Sequence, residues 1–141
     1  MSTSLAKPKV IAEVANTHQG DIEVLYKMIK SLSKTSTDFI KFQIYSADEL
    51  LVKSHKRYEH FKGQAFSKKE WGEILDYSKK NNLKIIADVF GFTSLEICKE
   101  NEIRNIKIHS SDLTNKPLLQ ECSKFSSKIF LSCGGSNLRE I

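Results

Sequence analysis

Short apolar runs alternate with amphipathic stretches along almost the whole chain, and this limits it to few architectures. The runs cover residues 10–14, 39–45, 83–89, 105–108 and 129–131, rich in Val, Ile and Phe and too short for helices. Between them lie segments with apolar residues at helical spacing. Ile22, Leu25, Met28, Ile29 and Leu32 form the clearest such stripe. The order is βαβαβαβαβ, with a last helix expected to open at Ser136 or Asn137. Strands separated by helices form a parallel sheet with right-handed crossovers. No linker or composition shift divides the 141 residues, so one α/β domain is expected.

Helix start signals sharpen this reading. Asp21 can cap the first helix. Ser46-Ala47-Asp48-Glu49 and Ser67-Lys68-Lys69-Glu70 have the form of capping boxes. The second opens a helix with Trp71, Ile74, Leu75 and Tyr77 inward, ending near Asn81 and Asn82. Thr93 or Ser94 is expected to cap a short helix to about Lys99, and Pro117 stands at a tolerated first-turn position of a helix over 116–123. Residues 53–63 show no clean period and read as a long loop of the kind that forms lids.

Cys98, Cys122 and Cys133 are odd in number and widely spaced, which suits neither a disulfide framework nor a zinc site. A reduced, cytoplasmic protein is expected. No run approaches the roughly 20 apolar residues of a membrane span, and residues 1–9 carry no signal-peptide pattern, so no membrane partner is expected. The net charge of +5 is compatible with nucleic acid, anionic lipid or an anionic metabolite. Within residues 53–69, Lys53, Lys56, Arg57, Lys62, Lys68 and Lys69 interleave with Tyr58, Phe61 and Phe66, as on single-strand nucleic-acid surfaces. No recognition-module motif accompanies them, so no nucleic-acid partner is expected.

The chemistry gathers at the strand ends. Val10, Ile11, Ala12 and Val14 read as a strand buried on both faces, with Glu13 inside it. A buried, ionised carboxylate needs a cation or hydrogen-bond donors beside it. Asn16, Thr17, His18 and Gln19 crowd the end of this run before Gly20-Asp21 turns the chain. Later runs repeat the pattern with Lys41 and Gln43 on one strand face, then Asp88, then Lys107 and Ser110, then Ser132 and Gly134. In a parallel sheet all of these reach one edge, where α/β folds keep their ligand sites. Two lysines, hydroxyls, glycine amides and helix N-termini there would suit a phosphorylated anion. The same residues also allow plainer readings. Glu13 could sit on an edge strand in water, His18 could be an ordinary loop residue, and a lysine could serve only to neutralise Glu13 inside a barrel.

Four strings in register resemble the N-acetylneuraminate (sialic acid) synthase family. They are Ile-Ala-Glu-Val at 11–14 with His18 and Gly20, Ile-Lys-Phe-Gln at 40–43, Ile-Lys-Ile-His-Ser at 106–110 and Leu-Ser-Cys-Gly at 131–134. The Ser67 capping box and Asn115-x-Pro117-Leu118 fall in the same order. The resemblance implies a (β/α)8 TIM barrel of which residues 1–141 supply about the first five β/α units, since a whole barrel needs roughly 200 residues or more. The later barrel strands and the family's C-terminal antifreeze-like domain are expected to be absent, and the chain alone is expected to be inactive.

Members of that family are transferases that condense phosphoenolpyruvate with an N-acylated hexosamine, forming a sialic-type acid. By resemblance, Glu13 and Lys41 are the catalytic candidates. Lys41, Lys107, Ser110 and Ser132 would hold phosphoenolpyruvate, with Glu13 beside its reacting carbons, and Gln43 would bind the sugar. A divalent metal (Mn2+ or similar) is expected as cofactor with its ligands outside this chain, and a homodimer is expected of the complete protein. The chain departs from the family pattern at Ala15 and Thr17 (in a stretch usually Gly-x-Asn-His), at 87–91 (usually Ser-Thr-Pro-Phe-Asp), at His109, Ser111 and Asp112, and at Cys133 and Gly135. These differences bear on the identity of the sugar. His109, at a position normally glycine, reads as incidental rather than as a metal ligand. Two other readings remain: a non-catalytic half-barrel module or split subunit, and a complete flavodoxin-like domain of five strands.

Overall fold

The computed structural model describes residues 7–141, and in it every expected strand joins one five-stranded parallel sheet. In chain order the elements are β1 (Ile11–Glu13), α1 (Ile22–Leu32), β2 (Phe39–Ile44), α2 (Ala47–Leu50), α3 (Tyr58–Gln64), α4 (Lys68–Lys80), β3 (Lys84–Val89), α5 (Phe92–Glu100), β4 (Asn105–Ile108), a 3-10 turn (Ser110–Asp112), α6 (Lys116–Phe125) and β5 (Lys128–Leu131). The strands lie in sequential order, β1-β2-β3-β4-β5. A flavodoxin-like sheet reverses direction at a switch point, so that reading is overturned. With every crossover of the same hand and no reversal, the helices collect on one face of the sheet.

That face holds the core. Ile40, Phe42, Ile44, Ala87, Val89, Ile106 and Ile108 from the strands meet Leu25, Ile29, Trp71, Ile74, Leu75, Leu95, Cys98, Leu118 and Cys122 from the helices. The caps follow local chemistry. Asp21 accepts from the Glu23 and Val24 amides (2.8 and 3.2 Å). Ser67 and Glu70 close a reciprocal box, Ser67 N–H to the Glu70 carboxylate at 2.7 Å and Glu70 N–H to Ser67 Oγ at 3.3 Å.

Several expectations change. Val10 and Ile11 are 52% and 41% exposed, so β1 is not buried on both faces; it has a single neighbour, β2. Residues 53–63 are not all loop, because α3 forms there and buries Tyr58 and Gln64. Its seven residues make about two turns, too few for a period to stand out. Tyr58 Oη donates to Asp48 at 2.7 Å, and Phe61 packs edge-on to Tyr45. α5 opens at Gly91, one turn before the expected cap, and Ser94 Oγ reaches back to accept from the Phe90 and Gly91 amides at 3.0 and 3.1 Å. Tyr77 is only partly buried, against Tyr26. Residues 138–140 form turns rather than a helix, with Asn137 accepting from the Arg139 amide. Among the described residues, no helix is long and apolar enough to cross a membrane.

Candidate anion site on the inner face of the sheet

Alternation along β2 sends Ile40, Phe42 and Ile44 toward the helices and leaves Phe39, Lys41 and Gln43 on the opposite, inner face. Register then aligns the polar groups. Glu13 of β1 stands beside Lys41 of β2, and one row crosses Gln43, Asp88, Lys107 and Phe130 on β2 to β5.

Ile11, Glu13, Lys41, Ile86, Lys107, Phe130 and Ser132 line a cavity of about 300 Å³ on this face. Four of the expected site residues, Glu13, Lys41, Lys107 and Ser132, thus meet around one space. Ser132 is held there because its backbone N–H donates to the Ile108 carbonyl at 3.0 Å, continuing the β4–β5 ladder past the strand end. Lys41 Nζ forms an ion pair with the Glu13 carboxylate. Lys107 Nζ lies 2.7 Å from Asp88 Oδ2. Asp88 is 1% exposed, and its second oxygen, Oδ1, is buried with no hydrogen-bond partner. Burial pushes the Asp88 carboxyl above the usual carboxylate range, while the hydrogen bond and charge of Lys107 pull the other way, followed by Lys41 and His109. Sequence reasoning placed Asp88 at a strand end and gave it no role; a carboxylate inside an otherwise apolar strand was the available signal.

Ser110 opens the 3-10 turn just past β4 and is not among the residues lining that cavity. Gln43 lines a separate space of about 430 Å³ with Asn16, Thr17, Gln19, Arg57, His60, Phe61 and Gln64. There Gln64 donates to Gln19 at 2.9 Å, and Asn16 Oδ1 and Gln64 Oε1 are buried without partners. His18 is a core histidine. It is 2% exposed, packs on Phe66 with ring centroids 4.8 Å apart, and accepts from the Gly20 amide through Nδ1 at 3.0 Å. Burial lowers its pKa, which favours the neutral ring. His109 stacks on Phe90, ring centroids 5.3 Å apart, and its Nδ1 lies 3.1 Å from Ser111 Oγ.

One departure from the pattern that the resemblance implies has a structural cost. Ala15, where that pattern has glycine, sits at φ +47°, in the left-handed region that an alanine adopts at about 1 kcal/mol or more. Gly20 (φ +82°) cannot be replaced in place, since a Cβ there would lie 2.4 Å from the Gly63 carbonyl oxygen. Among the described residues no three His, Cys, Asp or Glu side chains stand together to hold a metal ion.

A sequence model described as the NeuB family matches residues 28–141. An uncharacterised protein of Methanocaldococcus jannaschii is 33% identical over 132 residues, covering 94% of this chain and 39% of its own length. The N,N'-diacetyllegionaminic acid synthase of Campylobacter jejuni is 29% identical, over 97% of this chain and 45% of that protein. The crystal structure of N-acetylneuraminic acid (sialic acid) synthetase from Leptospira borgpetersenii, in complex with citrate, matches with a TM-score of 0.88 and 29% identity, over 96% of this chain and 48% of that one. The chain spans less than half the length of these relatives.

Proposed function

This chain belongs to the NeuB family, and from that premise we propose that it is part of a phosphoenolpyruvate-dependent sugar-acid synthase. In this reading it supplies the first five β/α units of a (β/α)8 barrel. The reaction joins phosphoenolpyruvate to an N-acylated hexosamine, giving a nonulosonic acid. The cavity shared by Lys41, Lys107, Ser132 and Glu13 is the observation that carries the proposal. Its size suits a small phosphorylated acid. Two relatives bear on the chemistry: one is named a legionaminic acid synthase, and another was solved with citrate, itself a polyanion.

Lys41 and Lys107 neutralise the ligand's phosphate and carboxylate, and the Ser132 hydroxyl orients it. Glu13, bound to Lys41, borders the reacting carbons. Ser110 would join the ligand from the turn beyond β4, and Gln43 would read the sugar from the neighbouring space. The divalent cation (Mn2+ or similar) that the resemblance implies would take its ligands from outside this chain and would supply Lewis-acid chemistry at the sugar aldehyde. A homodimer and a cytoplasmic location complete the proposal.

Calorimetric titration of the complete protein with phosphoenolpyruvate tests the central assignment. Lys41→Ala and Lys107→Ala, each checked for a folded near-ultraviolet signature, are expected to weaken binding at least tenfold, or about 1.4 kcal/mol. Unchanged affinity in both variants sinks the roles given to these lysines. A second reading is a non-catalytic half-barrel or split subunit, in which the exposed apolar residues of the edge strands, Val10, Ile11, Ile129, Phe130 and Leu131, would meet a partner chain. Cooperative unfolding of a monodisperse chain that binds no phosphoenolpyruvate would support it.

A further inference from the structure

A cavity for a multiply charged anion gains from its lysines and loses from every carboxylate beside them. Glu13 and Asp88 together cancel the formal charge of Lys41 and Lys107. The two acids are not equivalent. Glu13 lies on the edge strand and is partly exposed, so water can screen it. Asp88 is enclosed between β2 and β4, and its Oδ1 has neither water access nor a donor. An ionised carboxylate with a bare, buried oxygen is poorly stabilised, whereas the protonated acid loses that penalty.

The groups facing Asp88 are few. From β4 comes Lys107 and, just past its end, His109; from β2 comes Lys41, with the neutral Gln43 in register beside it. Glu13 of β1 is tied to Lys41. Lys107 is thus the shared partner, touching Asp88 through Nζ while also lining the cavity.

We propose that Asp88 competes with the ligand for Lys107: a phosphorylated anion engages Lys107 as Asp88 takes up a proton and releases it. The inference rests on the reading of this cavity as a phosphoenolpyruvate site and adds to it a proton-linked specificity residue. Anion affinity then rises as pH falls, because the ligand's charge favours the protonated form of Asp88.

Calorimetry in two buffers of different ionisation enthalpy measures the proton uptake directly. Sulfate serves as one probe because it does not titrate near neutrality, and phosphoenolpyruvate as the other. Sulfate binding by the unaltered protein is expected to take up protons at pH 7. Asp88→Asn, which keeps an oxygen for Lys107 but cannot ionise, is expected to bind sulfate at least tenfold more tightly at pH 7.5 with the uptake gone. His109→Gln is expected to keep the uptake.

An Asp88 that only pins β3 to β4 would leave affinity equal or lower in Asp88→Asn and the pH profile unmoved, which overturns the proposal. Loss of uptake in His109→Gln instead overturns it as well. Proton-linked sulfate binding without phosphoenolpyruvate binding upholds the role of Asp88 and fails the proposed function. Phosphoenolpyruvate binding of equal strength in both proteins without proton uptake does the reverse. If Asp88→Asn does not fold, absence of uptake in the unaltered protein is decisive against the proposal. No binding of either probe also overturns it.

Discussion

On β2, Phe42 points to the helices and is 1% exposed, with Trp71 edge-on at 5.8 Å between ring centroids. Phe130 of β5 points the other way and remains 36% exposed beside the lysines. Both aromatics sit in the same sheet. Over β2 to β4 the outer face is closed by helices from the four crossovers, so its residues there act through packing. Among the described residues no helix packs on the inner face, where the Glu13–Lys41 and Asp88–Lys107 pairs stand around or beside the cavity. Stability is concentrated on one side of the sheet and chemistry on the other, which lets the site vary without unfolding the support.

The largest expected effect tests that division directly. Phe42→Ala should cost about 3–5 kcal/mol, a large part of the 5–15 kcal/mol typical of a domain. Phe130→Ala should cost about 1 kcal/mol or less. Denaturant unfolding of the two variants measures both, and equal losses would break the comparison.

Thiol chemistry sharpens it. Cys98 and Cys122 lie in the outer core, where burial pushes their pKa up to about 12 and about 11, respectively. Cys133 is exposed beyond β5. A single thiol should therefore react with a maleimide under native conditions at pH 7.5, and all three only after unfolding. Fast labelling of Cys98 would mean that the helical layer opens.

The smallest effect falls where β1 leaves the sheet. Ala15→Gly relieves the left-handed backbone at φ +47° and should stabilise the protein by up to about 1 kcal/mol, read from the denaturant midpoint. A loss of stability would show that the Ala15 methyl makes contacts worth more than the strain.

Much of this protein is written in its local sequence. The order of strands and helices, the Asp21 and Ser67 caps, and the common face of Lys41 and Gln43 follow from periodicity and from side chains bonding to amides a few residues away. Such features need no knowledge of distant segments. The resemblance to sialic acid synthases was legible for a related reason, since its motifs are short strings at strand ends, and membership of the NeuB family bears it out.

Tertiary structure decided the rest. Periodicity leaves strand order open, since a βα rhythm is equally compatible with a reversed sheet; only the resemblance to a barrel family points to the sequential order that the pairing shows. The exposure of β1 follows from its having one neighbour, a property of the sheet and not of its apolar run. α3 is too short to announce itself and is held by Tyr58 on Asp48 and Phe61 on Tyr45. The separation of Gln43 from the Lys41 cavity could not be read from their shared strand face, because the loops after β1 and β2 define the second space. Nineteen residues of sequence separate Asp88 from Lys107, and only the β3–β4 register brings the acid within 2.7 Å of the lysine whose charge it holds.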